Sequence, residues 1–457
     1  MLSIYLIAQY ISAIIHRLET NKITTGDYSQ KVSILVVGYK ENEKYFKACI
    51  QSINKLTYPN IELVVFVSDD NTHESKYMHD IVKNTLKKHN TRSLAISHAG
   101  KRHAMNRGFQ EILLDQSNFI LTIDSDTILK SDCIERFIDT ITHNPKLGAV
   151  TGHIKIFNDS SIISFVSRLR YFFAFNIERS AQSLYGVVNC ISGPLGLYKK
   201  EIIQDSREAW LTQTFMNQEC SYGDDRHLTY HVLKRGYNVG YTHLAEAETE
   251  SPETISRWFT QQTRWNKSSI RETKWTLKTI NKHNFWMTLE LVYMLCYHLI
   301  VLGSLLYIIL FTNAFYIATW FLVTFSLTFL KGIIASIIDS NPIYLLFPIY
   351  NLLFTFFFIP SKIYALFTLR DTQWGTSTRK NITHTGPLQI YPAFIWMSLL
   401  LAGIIYNFVI LTTWNTTYII LCSTVPFIYI LFIGFAKIHC LYFYKGIDKV
   451  YTQYDLH

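Results

Sequence analysis

Two aspartates one residue apart close an apolar run in Asn118-Phe-Ile-Leu-Thr-Ile-Asp124-Ser-Asp126. Paired carboxylates at a strand end offer hard oxygen ligands for Mg²⁺ or Mn²⁺, and such a cation grips a sugar diphosphate. Asp124 and Asp126 are therefore the candidate metal pair, although a bare Asp-x-Asp is also a common loop. Asp69 ends another apolar run, Ile61-Glu-Leu-Val-Val-Phe-Val67. It can accept hydrogen bonds from a nucleobase or ribose, or simply form a turn. Tyr222-Gly-Asp224-Asp225-Arg226 holds two adjacent carboxylates. Their repulsion raises one pKa unless a cation such as Arg226 is near, and a carboxylate so tuned can deprotonate a hydroxyl. A helix N-cap is the plainer reading. Gln261-Gln-Thr-Arg264-Trp265 sets a guanidinium beside an indole, a diphosphate clamp next to a platform for a sugar ring. A basic amphipathic helix at a membrane has the same look, and Arg257, Lys267, Arg271 and Lys274 extend it toward lipid headgroups.

The elements that must hold these residues alternate. Val32–Gly38, Ile61–Val67 and 118–123 read as buried strands, and Tyr45–Lys55 and Tyr77–His89 as helices. The pattern predicts an α/β domain over 31–250 with an open, mostly parallel sheet. Ligands bind such sheets at the carboxyl ends of the strands, where Asp69 and Asp124 fall.

After about residue 285 the chain turns apolar over 286–311, 315–338, 343–369, 391–411 and 417–436. Each stretch reaches the roughly 17–25 residues of a membrane span. The N-terminal stretch Met1–Ile15, followed by His16 and Arg17, predicts a short membrane segment over 1–17, without the small-residue cleavage site of a signal peptide. Residues 251–284 read as an interfacial amphipathic region. Pro348 and Pro360 interrupt 343–369, so 343–389 is expected to be a re-entrant or interfacial segment followed by a polar loop. Then 286–338 and 391–436 supply two spans each, and Lys437, Lys445 and Lys449 place the tail 437–457 in the cytosol.

The 457 residues amount to about three domains' worth of chain. Charged residues make up 17% and aromatic residues 15%, which suits a chain partly solvated by lipid. The net charge of +9 fits phosphorylated ligands or anionic lipid. No nucleic-acid module accompanies it, so nucleic acid is not an expected partner. Seven scattered cysteines form no CxxC pair, which indicates neither zinc nor a disulfide framework.

Taken in order, Asp69, Asp124/Asp126, Asp225 and Gln261/Arg264/Trp265 followed by apolar helices resemble the processive family 2 glycosyltransferases, which include cellulose, chitin and hyaluronan synthases. His98–Arg102, Glu178–Ser183, Ser192–Gly196, Gly223–Thr229, Gln261–Ser268 and Trp374–Arg379 are similar to the membrane-integrated hyaluronan synthases. Asp224-Asp225-Arg226 departs from the Glu-Asp-Arg usual in chitin synthases, which would use UDP-N-acetylglucosamine alone. The single short N-terminal segment departs from the full pair of helices that relatives carry. The resemblance implies a GT-A-like cytosolic domain before a transmembrane bundle. It implies an inverting, processive enzyme of the plasma membrane, acting as a monomer. UDP-glucuronate and UDP-N-acetylglucosamine are the implied donors and Mg²⁺ or Mn²⁺ the cofactor, with the nascent polysaccharide leaving through the bilayer. Asp225 would be the base. Asp69 and Lys101 would hold uridine. Asp124, Arg264, Trp374 and Arg379 would serve the diphosphate. Trp265, Gln261, Ser192, Gly193, Pro194 and Cys190 would form the acceptor pocket.

Overall fold

The structure is a computed structural model and describes residues 2–24, 26–158, 161–312, 314–355, 359–370 and 391–409. The chain divides into two compact units, residues 1–293 with 364–386 and residues 294–363 with 387–457.

The first unit is built on an eight-stranded sheet. Its strands are β1 (Val32–Gly38), β2 (Ile61–Ser68), β3 (Thr91–Ala95), β4 (Phe119–Asp124), β5 (Ile128–Leu129), β6 (Leu147–Ile156) and β7 (Gly196–Lys199), with β8 (Thr214–Phe215) and β9 (Gln218–Glu219) in a separate hairpin and β10 (Asn238–Thr249) closing the series. The sheet order is β3-β2-β1-β4-β7-β6-β10-β5. The β3-β2-β1-β4 half is parallel throughout, as expected. The other half is mixed, because β7 runs antiparallel to both β4 and β6, and β5 antiparallel to β10. Every residue of β1 is buried, the pattern of a strand covered on both faces.

Around the sheet lie α2 (Glu43–Asn54), α3 (Lys76–Thr85), α4 (Lys101–Ile112), α5 (Cys133–His143), α6 (Ile162–Phe173), α7 (Ser180–Leu184), α8 (Lys200–Leu211) and α9 (Asp224–Lys234), preceded in the chain by α1 (Leu2–Thr20). A six-residue π-turn, Ala174–Arg179, joins α6 to α7. Phe46, Phe66, Phe109, Phe137 and Trp210 lie fully inside the core between sheet and helices.

Register fixes the site edge. Val37 pairs with Val67 on one side and with Asp124 on the other, so Asp69 and Asp124 leave neighbouring strand ends at one level.

The N-terminal helix inverts the usual amphipathic order. Its polar residues Gln9, Ser12, His16 and Thr20 are buried, while Ile4, Ile7, Ile11, Ile14 and Leu18 are exposed. Tyr5 Oη donates to Glu290 Oε1 at 2.5 Å, Ser12 Oγ lies 3.1 Å from Tyr185 Oη, and Arg17 donates to Asn176 Oδ1 at 3.1 Å. The helix therefore continues through His16 and Arg17, three residues beyond the segment expected from the sequence.

Helix α10 (Ile255–Thr276) follows the sheet. Here the sequence reading is corrected. Lys267 and Arg271 are buried, with Lys267 over the Tyr364 ring, Arg271 over the Tyr222 ring and Arg271 Nε donating to Leu369 O at 2.9 Å. These two cations face protein rather than headgroups, because aromatic faces and a free carbonyl satisfy them there.

Helix α11 (Phe285–Phe311) leads out of the first unit, and α12 (Ala314–Asp339) belongs to the second. Among the described residues these are the two helices long and apolar enough to cross a membrane. Along the stretch 343–369 the described residues form a 3-10 turn Pro342–Leu346, α13 (Phe347–Leu353) and α14 (Ile359–Phe367). Helix α15 (Tyr391–Val409) covers the next apolar stretch, whereas 417–436 and the tail lie outside the described residues.

Candidate active site

Lys101 opens α4 after Gly100, whose φ of 97° suits a residue without Cβ. Its ammonium lies 2.5 Å from Asp124 Oδ1 and 3.6 Å from Asp224 Oδ2, joining the end of β4 to the start of α9. Burial opposes the charge, but Asp124 and Asp224 outweigh it and hold the Lys101 pKa above its ordinary value. A pocket lined by Lys101, Asp124, Gly193, Asp224 and Asp225 brings together four of the sequence-predicted residues and Asp224.

Each aspartate pair is thereby split. Asp224 lies in a buried position that would raise its pKa, yet Lys101 and Arg102 pull it below the ordinary value. Asp225 is pushed up by burial and by Asp224, as the adjacent charges predict. Its Oδ1 accepts the Arg226 amide at 2.8 Å and its Oδ2 accepts the Cys190 thiol at 3.5 Å. Asp126 is raised well above its ordinary value by burial, then by Asp124, Glu41 and Glu250, with the Thr249 hydroxyl 3.2 Å away. Glu250 itself is pushed up to about 7, first by burial and then by Glu253.

Asp69 is engaged locally. Its carboxylate accepts from His98 Nδ1 at 2.8 Å, Ala99 N at 2.9 Å and Gly100 N at 3.0 Å, fixing the turn that delivers Lys101. The exposed His98 ring stacks on the half-buried Tyr39 at 4.3 Å, a pairing beside that turn that the sequence alone does not reveal. Gly193 sits against the Asp124 carboxylate, since a Cβ there would lie 3.2 Å from Asp124 Oδ2. Ser192, buried, accepts from Arg179 at 2.9 Å, and Pro194 is half-buried beside it.

Arg264 and Trp265 are half-buried on α10, with Gln261 one turn earlier. Burial lowers the Arg264 pKa, while Asp224, Asp225 and Asp124 act on it in the opposite direction, so the guanidinium shares their field. Trp265 meets Tyr171 at 6.2 Å between ring centroids. Trp374 and Arg379 lie outside the described residues.

A buried chain of hydrogen bonds ties these elements together, and its members are far apart in sequence. Glu272 of α10 contacts His227 Nδ1 of α9 at 2.8 Å and accepts from Gln213 Nε2 at 3.1 Å. Arg102 donates to Gln213 Oε1 at 2.8 Å and to Trp210 O at 2.9 Å, and the Trp210 indole donates to Asp224 O at 2.9 Å.

The arrangement is an acid-rich site at a sheet edge, in a domain that is similar to known sugar transferases. The family described as "Glycosyltransferase like family 2" matches residues 29–268. Hyaluronan synthase 3 of Xenopus laevis is 32% identical over 89% of this chain and 79% of its own length. Hyaluronan synthase 1 of Xenopus laevis is 34% identical over 83% and 73%, and hyaluronan synthase 2 of Homo sapiens 32% identical over 89% and 80%. A mannosyltransferase from Pyrobaculum calidifontis, solved in complex with GDP-Man and Mn²⁺, superimposes with a TM-score of 0.47 at 16% identity, covering 64% of this chain and 80% of that one. The chain belongs to the hyaluronan synthases, within glycosyltransferase family 2.

Proposed function

We propose that this enzyme polymerises hyaluronan from UDP-glucuronate and UDP-N-acetylglucosamine, acting as a monomer in the plasma membrane with its sheet domain in the cytosol. The observation that carries the mechanism is the split of the two aspartate pairs around Lys101.

Asp126, with Asp124, fits a divalent cation. Its half-buried carboxyl lies in the field of Asp124, Glu41 and Glu250; burial first and their repulsion second raise its pKa, and Mg²⁺ or Mn²⁺ would relieve that repulsion. When bound, such a cation neutralises charge on the departing diphosphate. Lys101 and Arg264 add fixed positive charge on the same side. Asp225 is the base. Its raised pKa makes it a better proton acceptor than a surface carboxylate, and Asp224, tied to Lys101, stays ionised beside it. Asp225 removes the proton from the acceptor hydroxyl, whose oxygen attacks the anomeric carbon in line as the bond to UDP breaks. The product is inverted. Trp265 stacks under the acceptor sugar, Gln261 lies one turn away, and Cys190, Ser192, Gly193 and Pro194 form the opposite wall. Asp69 supports uridine binding through the turn at 98–100. Trp374 and Arg379 close on the diphosphate.

In this reading α11 and α12 cross the bilayer out and back, 343–369 stays on the cytosolic side, and 391–411 and 417–436 cross again. Membranes carrying the enzyme are expected to make hyaluronidase-sensitive polymer only when both UDP-sugars and a divalent cation are supplied. A chitinase-sensitive product from UDP-N-acetylglucosamine alone would overturn the assignment.

A further inference from the structure

The segment Glu178–Ser183 stands out in the sequence, yet the mechanism above uses none of it. The structure gives it a place. α6 ends at Phe173, and Ala174–Arg179 makes a wider π-turn before α7 resumes at Ser180. π-turns inside helices rotate the residues that follow and recur at functional sites. Here Asn176 and Ser180 meet α1, through Arg17 at 3.1 Å and His16 at 3.0 Å. Arg179 points the other way. Its Nη2 donates to Ser192 Oγ at 2.9 Å, its Nε to Cys190 O at 3.3 Å and its Nη1 to Ala174 O at 3.5 Å, while the guanidinium lies 4.2 Å from the centre of the Phe175 ring.

The loop that Arg179 grips is the acceptor wall, and it is tied to the catalytic helix at two points. The Cys190 thiol is shared between Asp225 Oδ2 and Ile191 O, both at 3.5 Å. The Ile191 amide donates at 2.9 Å to the Thr229 hydroxyl, which itself donates at 2.8 Å to Asp225 O. On the strand side, Ser192 N donates to Thr151 Oγ1 at 3.3 Å, and Thr151 donates to Leu195 O at 2.8 Å. Strand and helix thus hold two sides of the loop, and the Arg179 fork closes the third. The planar guanidinium spreads its donors widely enough to reach a hydroxyl and two carbonyls at once, where an ammonium is a single point.

We propose that Arg179 is a positioning residue: it sets the loop Cys190–Pro194 and, through the Cys190 thiol, orients the Asp225 carboxylate toward the acceptor. The inference rests on Asp225 being the base. The bonds of Arg179 go to Ser192, Cys190 and Ala174 rather than to Lys101, Asp124 or Asp126, so its loss is expected to act on transfer more than on donor binding, although Gly193 of the same loop lies against Asp124.

The test uses the full-length enzyme in lipid nanodiscs with R179A, R179K, C190A and D225N. Polymerisation gives kcat and the KM of each UDP-sugar, and calorimetry with UDP and Mn²⁺ gives Kd. R179A is expected to lower kcat by about 10–100-fold, as a misplacement of about 1 Å does, with UDP Kd and donor KM within about twofold. R179K keeps the charge but not the fork and recovers only part of the rate. C190A shows the same split with a smaller loss. Wild-type kcat in R179A overturns the proposal, and so does a UDP Kd that weakens in step with kcat, which marks general damage. If R179A fails to fold, wild-type kcat in both R179K and C190A overturns it. An active D225N removes the base assignment and this inference together, whereas an inactive D225N beside a fully active R179A removes this inference alone.

Discussion

The two aspartate pairs make a controlled comparison within one molecule. Asp124 ends β4 with Asp126 two residues on in the turn that follows, and Asp224 and Asp225 begin α9. Both pairs donate one member to Lys101 and leave the other with a raised pKa. Their surroundings then diverge. Asp126 meets further negative charge from Glu41 and Glu250, whereas Asp225 has Arg226 and the Cys190 thiol beside it. The first environment calls for a cation, and the second makes a proton acceptor. Residue type alone sets neither role; the neighbours do.

The largest effect should come from the strand-end pair. D126N is expected to cost at least about 10³-fold in polymerisation, because a Lewis acid is worth several kcal/mol at the transition state. It should also abolish the Mn²⁺ dependence of UDP binding in calorimetry. Retained Mn²⁺-dependent UDP binding would move the cation elsewhere.

The helix-start pair should behave differently. D225N is expected to lose roughly 10²–10⁴-fold in kcat, the usual cost of removing a general base, with UDP affinity intact. Activity near wild type would transfer the role to Asp224 and erase the contrast.

A smaller effect should follow from the bonds beneath α9. Burial pushes Glu272 up to about 8 from an ordinary 4.5. The folded state therefore holds this proton more tightly than the unfolded one, and stability falls as pH rises between those two values. E272Q is expected to flatten that slope and keep or raise Tm. E272A leaves His227 and Gln213 without their hydrogen-bond partner and should cost roughly 1–3 kcal/mol. Calorimetric melting across pH checks both, and an unchanged slope in E272Q would show that Glu272 is ionised throughout.

The subtlest test separates the members of one pair. Asp224 raises the Asp225 pKa, so D224N should shift the acid limb of the kcat profile to lower pH. A shift upward would mean that the Lys101 tie matters more than the like charge.

Much of this was legible in the sequence because strand ends advertise themselves. β1, β2 and β4 fall on mainly apolar runs, and Asp69 and Asp124 stand at the ends of the latter two. The antiparallel β7 was not visible, since four residues after a Ser-Gly-Pro turn carry no direction. The Lys101 bridge, the Arg179 fork and the Glu272–Gln213–Arg102 chain were also hidden. The partners lie from about a dozen to more than a hundred positions apart, and only packing brings them together. Lys267 and Arg271 misled for the opposite reason: basic spacing on α10 reads as lipid-facing until the aromatic partners are seen.

The inward polar face of α1 has a consequence for the order of synthesis. This helix is translated well before the groups that receive it, which lie 159 residues later at Asn176, 173 later at Tyr185 and 285 later at Glu290. At about 5–20 residues per second, Tyr5 waits roughly 15–60 s for its carboxylate. During that interval the polar stripe must be hydrated or chaperoned, and the helix cannot settle until α11 begins to emerge. A cysteine placed at Ser12 should accordingly react with thiol reagents in nascent chains arrested before Tyr185 and become protected in chains that extend past Tyr293; equal reactivity in both would show that α1 docks by other means.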